Sequence, residues 1–276
     1  MEMKFVNVEG HDTRCIVAGE VGAPPLILVH GLSLTADLWM KNIDSLGRHF
    51  RVAALDMLGH GFTRPKDMSV RITFDDKVSH ILKFAEIMGF DRFAISGSSY
   101  GGLVAANVYL AAKKRVEKLV INGSGSAFNT EDQLAAFLER IYDNYGAILK
   151  RPSPDGWRKV LEGTFHDPLT IPSEIPMLLS LCYAQPWAVD CWNNTIDEMR
   201  ALEAFRRFRI LERLEEIDVE TLVVWGRNDT GGIYEAAVAA VDQMPDSTLV
   251  SIEGCGHLPM IEKPEIYNQE VSKFLL

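Results

Sequence analysis

Leu26-Ile27-Leu28-Val29 is apolar at every position. A strand with one wet face alternates apolar and polar residues. A continuous run like this one fits a strand buried on both faces, and such strands occur in parallel sheets covered by helices. Arg51-Val52-Ala53-Ala54-Leu55 and Thr221-Leu222-Val223-Val224-Trp225 read as strands too, and further strands are predicted at 92–96, 116–121 and 247–252. Residues 3–8 and 13–18 read as a leading strand pair. Between the strands lie segments of helical spacing. Phe74, Val78, Ile81, Leu82, Ala85 and Met88 mark 73–88, and helices are predicted around 36–46, 100–112, 233–243 and 264–275. Strands alternating with helices predict an α/β chain with a mostly parallel, doubly wound sheet.

The rhythm breaks between about 124 and 212, a gap far longer than an ordinary connection within an α/β unit. This stretch holds Trp157, Trp187, Trp192 and six of the twelve prolines, so short helices are expected. Its position between two core strands predicts an inserted helical cap, 124–212, on a core made of 1–123 and 213–276. The cap aromatics have two readings, packing against the core or lining an apolar pocket beneath the cap. Residues 169–199 contain no Arg or Lys. Arg200, Arg206, Arg207 and Arg209 follow on a predicted helix, 196–212, where Glu203 and Glu212 interleave with them as on a solvated face.

Lys and Arg number 28 against 38 Asp and Glu, a net charge of −10. An acidic surface repels phosphate backbones and anionic bilayers, which argues against nucleic acid or a membrane as partner and leaves solubility as the role of the charge. No stretch approaches the roughly 18 apolar residues that span a bilayer, and no basic segment followed by an apolar one opens the chain. The four cysteines, Cys15, Cys182, Cys191 and Cys255, show no C-x-x-C spacing. They read as reduced, small hydrophobes of a cytoplasmic protein. Assembly into a homo-oligomer stays open.

The chemistry gathers at strand ends. Gly97-Ser98-Ser99-Tyr100-Gly101 is a G-x-S-x-G sequence placed after a predicted strand and before a predicted helix, the context of a nucleophile elbow. The positions two before and two after Ser99 must be small for so tight a turn, and both are glycine. A helix N-terminus beneath the serine adds positive potential where an oxyanion would develop. Centring the sequence on Ser98 would put Ser96 and Tyr100 at the flanks, a poor fit. No G-K-[ST] follows, so a phosphate-binding loop is excluded.

A serine hydroxyl needs a base. His257, in Gly254-Cys255-Gly256-His257-Leu258-Pro259, follows the last predicted strand, where the base falls in the order serine, acid, histidine. His30 and His60 precede the serine and read as loop-anchoring hydrogen-bond donors. The acid must orient the imidazole. Asp229, in Trp225-Gly226-Arg227-Asn228-Asp229, is the candidate, because the rival strand end Ile121-Asn122-Gly123-Ser124-Gly125 offers no carboxylate. Two backbone donors complete an oxyanion hole: the N–H of Tyr100 and, from the loop after 26–29, that of Leu32.

His30-Gly31 with Trp39, Asp56-Met57-Leu58-Gly59-His60-Gly61, the Ser99 turn, Trp225-Gly226-x-x-Asp229 and Gly256-His257 together resemble the α/β-hydrolase superfamily over the whole core. The branch most similar is that of capped esterases and meta-cleavage-product C–C bond hydrolases. The resemblance implies hydrolysis of an ester or a vinylogous diketone of small-molecule size, with no metal and no organic cofactor. Two departures count against the C–C hydrolases. Those enzymes carry Trp after the catalytic His, where this chain has Leu258, and they hold the substrate carboxylate with a cap Arg, for which 169–199 offers none. A carboxylic ester or lactone in an uncharged pocket is therefore the expected substrate, cleaved through an acyl-enzyme. A ligand-binding or cofactor-free, non-hydrolytic member of the fold is the alternative of another class.

Overall fold

The computed structural model describes residues 1–276. Eight strands form one sheet: β1 (Glu2–Val8), β2 (His11–Ala18), β3 (Pro25–Val29), β4 (Arg51–Leu55), β5 (Phe93–Ser98), β6 (Val116–Asn122), β7 (Thr221–Gly226) and β8 (Ser247–Ile252). Their order across the sheet is β1-β2-β4-β3-β5-β6-β7-β8. β1 and β2 pair antiparallel, as do β2 and β4, and every other pair is parallel. The apolar runs occupy the middle of the sheet, where β3 and β5 are buried almost end to end. Edge strand β8 is half exposed instead, with only Ile252 buried.

Chain order reverses around β3. The chain steps from β3 outward to β4, then returns to lay β5 on the other side of β3. Connections leaving β3 and β5 therefore diverge and open a crevice at the carboxyl ends of these strands, where open α/β sheets bind ligands. The loop beginning at His30 and the turn at Ser99 border that crevice. Gly31 is bare on this side: a Cβ there would lie 3.1 Å from the Ser99 Cβ.

The helices follow the expected positions with two differences. The segment around 36–46 is two short turns, Ala36–Trp39 and Ile43–Leu46. The break falls at Asn42, held out of helical geometry while its amide donates to Met260 O and Asn268 Oδ1. The predicted helix 196–212 is not formed. A helix runs Ala188–Arg200, and short turns follow at Leu202–Phe205, Arg206–Phe208 and Leu211–Glu216. Phe205 and Phe208 both pack on Phe74 of the helix Phe74–Ile87, at 5.5 and 4.5 Å between ring centres. One straight helix past Arg200 would forgo that contact.

Arg209 is correspondingly not on a solvated face. It is 3% exposed and donates to Asn129 O and Glu131. Arg200, Arg206 and Arg207 do pair outside, with Glu139, Glu131 and Asp75.

Between β6 and β7 stand the helices Glu131–Lys150, Pro154–Glu162, Glu174–Tyr183 and Ala188–Arg200. Capping explains where the first two begin: Thr130 and Gln133 form a reciprocal capping box, and Ser153 caps a turn that carries Pro154 in its first position. An aromatic cluster of Tyr145, Trp157, Tyr183 and Trp192 welds these helices together. Trp192 Nε1 donates to Ser33 Oγ at 2.7 Å, tying them to the loop after β3. No helix is long and apolar enough to cross a membrane.

Candidate active site

Ser99 sits between the end of β5 and the helix Tyr100–Ala111 with φ 53° and ψ −121°, a conformation non-glycine residues rarely take. Strain of this kind costs about 1–3 kcal/mol and persists where surrounding contacts over-determine it. Here they do. The Ser99 N–H donates to Asn122 O at 2.7 Å, and the Ser99 carbonyl accepts from Gly102 N at 2.8 Å and Ser124 Oγ at 2.5 Å. The flanking glycines are required by space. A Cβ on Gly97 would strike the Gly101 carbonyl, and one on Gly101 would strike the carbonyls of His30 and Val29.

His257 lies in the loop after β8. Its Nδ1 is 2.8 Å from Asp229 Oδ1 and 3.0 Å from Oδ2. The Asp229 side chain is fully buried, and its Oδ1 also accepts from Gly231 N at 2.6 Å and Gly232 N at 3.1 Å. Those amides fix the carboxylate in direction. Nδ1 therefore carries the proton toward Asp229, and Nε2 is left free to accept one. Burial disfavours the imidazolium, but the charge and hydrogen bond of Asp229, with the charge of Glu262, outweigh it and hold the His257 pKa above its ordinary value. Gly231 must be bare for this packing, since a Cβ would lie 2.6 Å from His257 Nδ1.

A buried ionic knot shapes the loop after β3. Asp56 accepts from Ala36 N at 2.7 Å and Phe62 N at 2.8 Å, and Arg14 bridges it to Asp37. His30 donates from Nδ1 to Gly31 O and accepts the Met57 N–H at Nε2. It is thus donor and acceptor at once. A neutral ring is required, and burial lowers its pKa to about 4. His60 is buried beside it, with ring centres 5.5 Å apart. Neither histidine lines the crevice. The Leu32 N–H that emerges from this loop meets no acceptor in the protein.

Ser99, His257, Leu32 and Tyr100 line one cavity of about 400 Å³. Its walls are largely apolar, with Leu34, Phe137, Ile141, Val160, Met199 and Leu258 among them. Trp157, Trp187 and Trp192 take no part in the lining, so for these three the packing reading holds. The stretch 169–199, where a cap Arg would have been placed, supplies only Met199 to the lining.

The expectation of a cavity without positive charge is corrected. Arg140 and Lys159 line it, from the helices Glu131–Lys150 and Pro154–Glu162. Arg140 is steadied by a hydrogen bond from Nη2 to Thr230 O at 2.8 Å. The sequence held a signal for this. Phe137, Arg140, Ile141, Asn144 and Tyr145 follow the i, i+3, i+4, i+7, i+8 spacing of one helix face, and all five line the cavity. Glu262 carried no such sequence signal, and its contacts are described below.

The alpha/beta hydrolase fold family matches residues 24–264, and the chain belongs to it. A relative from Metapseudomonas resinovorans, 2-hydroxy-6-oxo-6-(2'-aminophenyl)hexa-2,4-dienoic acid hydrolase, is 30% identical over 99% of this chain and 90% of its own. A pimeloyl-[acyl-carrier protein] methyl ester esterase from Pectobacterium atrosepticum is 26% identical over 92% of this chain and 94% of its own. Among solved structures, a serine hydrolase involved in carbazole degradation superposes with a TM-score of 0.81 at 28% identity, covering 99% of this chain and 98% of that one. The relatives thus include C–C bond hydrolases and esterases, and the chain is an alpha/beta hydrolase enzyme.

Proposed function

We propose that this hydrolase cleaves a small, largely apolar carboxylic ester or lactone, with Ser99 as nucleophile, His257 as base and Asp229 as the acid that orients it. One observation carries the reading: a serine held at φ 53° between two obligatory glycines shares a cavity with a histidine whose other nitrogen is engaged by a buried carboxylate. Residues 124–212 act in this reading as a cap on the core of 1–123 and 213–276.

The chemistry proceeds in two halves. His257 Nε2 takes the Ser99 hydroxyl proton as Oγ attacks the substrate carbonyl carbon. The oxyanion forms against the N–H groups of Leu32 and Tyr100, at the N-terminus of the helix Tyr100–Ala111, whose first amides have no partner within the helix. Asp229 stabilises the imidazolium that results. The tetrahedral adduct collapses, the leaving alkoxide departs with the proton from His257, and an acyl ester of Ser99 remains. Water then attacks that ester, His257 takes its proton, and a second collapse releases the acid and restores the Ser99 hydroxyl.

A second reading, C–C hydrolysis of a dienol ketone that bears a carboxylate, is favoured by Arg140 and Lys159 in the cavity wall. Burying a carboxylate unpaired is costly, and these two cations remove that objection. The test is a panel of p-nitrophenyl esters of increasing chain length beside a dienol ketone, each with wild-type and Ser99→Ala protein. Loss of several orders of magnitude in kcat on Ser99→Ala is expected, with esters the better substrates. Near-normal turnover without Ser99 overturns the nucleophile. Preference for the dienol ketone promotes the second reading. Failure of a fluorophosphonate to label Ser99 would support a non-hydrolytic role.

A further inference from the structure

We infer that Glu262 is a positioning residue that locks the His257 loop to the cap and sets the direction of the imidazole; the inference rests on His257 being the base. Glu262 closes the short helix Pro259–Glu262 and is 7% exposed. Its Oε1 accepts from Gly256 N at 3.0 Å and lies 3.4 Å from Leu258 N, the two residues that flank His257. Its Oε2 accepts from His166 N at 2.8 Å, in the segment between the cap helices. His257 completes the circuit, since its own N–H donates to Thr164 O at 2.9 Å.

The loop that carries the imidazole is therefore bonded on both sides of the ring to one carboxylate and in the middle to the cap backbone. The approach is close enough that a Cβ on Gly256 would lie 2.6 Å from His166 N. A salt partner is absent from this arrangement: three backbone amides, and no cation, hold the Glu262 carboxylate. Its charge is then felt by the imidazole in the same direction as that of Asp229, and against that of Arg140 across the cavity, which lowers the pKa. A neutral side chain of the same shape would keep much of the packing. It would remove the charge and oppose one amide donor with another.

The arrangement gives the carboxylate two separable effects. As an anchor it sets where Nε2 points and ties that direction to residues 164–166. As a charge it keeps His257 a stronger base.

The experiment compares wild-type, Glu262→Gln and Glu262→Asp enzymes in kcat and KM across pH. In parallel the His257 imidazole is titrated by NMR in Ser99→Ala protein with and without Glu262→Gln, which needs no turnover. In Glu262→Gln the imidazole pKa and the acid limb of kcat/KM are expected to fall by about half a unit or more. The plateau kcat should drop about tenfold or more, with KM changing less. Glu262→Asp keeps the charge and shortens the reach, so its acid limb should stay near wild type while kcat falls. An imidazole pKa unmoved by Glu262→Gln, with kcat within twofold, overturns the inference. If Glu262→Gln does not fold, Glu262→Asp decides: a wild-type kcat in that variant overturns the anchoring role. Activity surviving His257→Ala would instead refute the site reading itself.

Discussion

Asp229→Asn replaces one oxygen by an NH2 group, and in this site the hydrogen bonds decide which one. Asp229 Oδ1 accepts from Gly231 N at 2.6 Å and Gly232 N at 3.1 Å. An amide nitrogen there would oppose two backbone donors, so the Asn oxygen keeps that place. The NH2 then falls at the Oδ2 position, 3.0 Å from His257 Nδ1. Two N–H groups cannot point into the same space. The imidazole is pushed toward the tautomer with the proton on Nε2, which cannot accept one from Ser99. Oδ1, 2.8 Å from Nδ1, still favours the productive tautomer, so the loss should sit near the lower end of the range for a wrong-tautomer substitution. That is about 10³- to 10⁴-fold in kcat, or about 4–5.5 kcal/mol of transition-state stabilisation.

The pH profile moves independently. In the proposed mechanism activity needs neutral His257, whose pKa stands above its ordinary 6.5, so the wild-type acid limb of kcat/KM should lie above pH 6.5. Without the Asp229 charge, burial acts against the imidazolium with only Glu262 opposing it, and the limb moves toward lower pH. The assay is ester hydrolysis from about pH 5, below the reference imidazole pKa, to about pH 9, above it, with circular dichroism to check folding. A folded Asp229→Asn enzyme within tenfold of wild type, with an unmoved acid limb, would refute the reasoning.

Gly231→Ala puts a methyl group 2.6 Å from His257 Nδ1 and should cut kcat by about 10²-fold while the protein stays folded; steady-state kinetics and a thermal melt check both parts. Arg140→Ala with Lys159→Ala should lower kcat/KM about tenfold for an ester with a free carboxylate and leave its neutral analogue within twofold, because only the charged substrate needs the cations that line the cavity. Equal losses on both substrates would assign the two residues to packing. Asp56→Ala strips the acceptor from the Ala36 and Phe62 amides and one partner from Arg14, so urea denaturation should show a loss of about 3–5 kcal/mol. A loss under about 1 kcal/mol would mean that water replaces the carboxylate, since an amide left unmet costs at least that much.

The central strands were legible because each reports its burial in its own residues. Leu26–Val29 is apolar throughout since β3 has neighbours on both edges and helices over both faces, and local composition carries that information. The Ser99 turn was legible for a related reason, as its glycines answer a steric demand made within five residues. The predicted helix 196–212 failed where a nonlocal contact took over. The periodicity past Arg200 is compatible with a helix, but Phe205 and Phe208 are claimed by Phe74, more than a hundred positions away. Arg209 looked like surface for the same reason, its acceptors lying far back in the chain on Asn129 and Glu131.

What the sequence determines by itself is the class of sheet, the order of its elements and the residue types at the strand ends, because these follow from periodicity, steric need and chain order. The tertiary structure decides which of those residues meet. It turns His257 toward Asp229 with two backbone amides holding the carboxylate, and it bonds the His257 loop to His166 through Glu262. It also brings Arg140 and Lys159 to the cavity, since periodicity groups Arg140 with Phe137 and Ile141 on one helix face without saying what that face meets. These outcomes depend on distances between segments remote in sequence, and such distances are set only when the whole core packs.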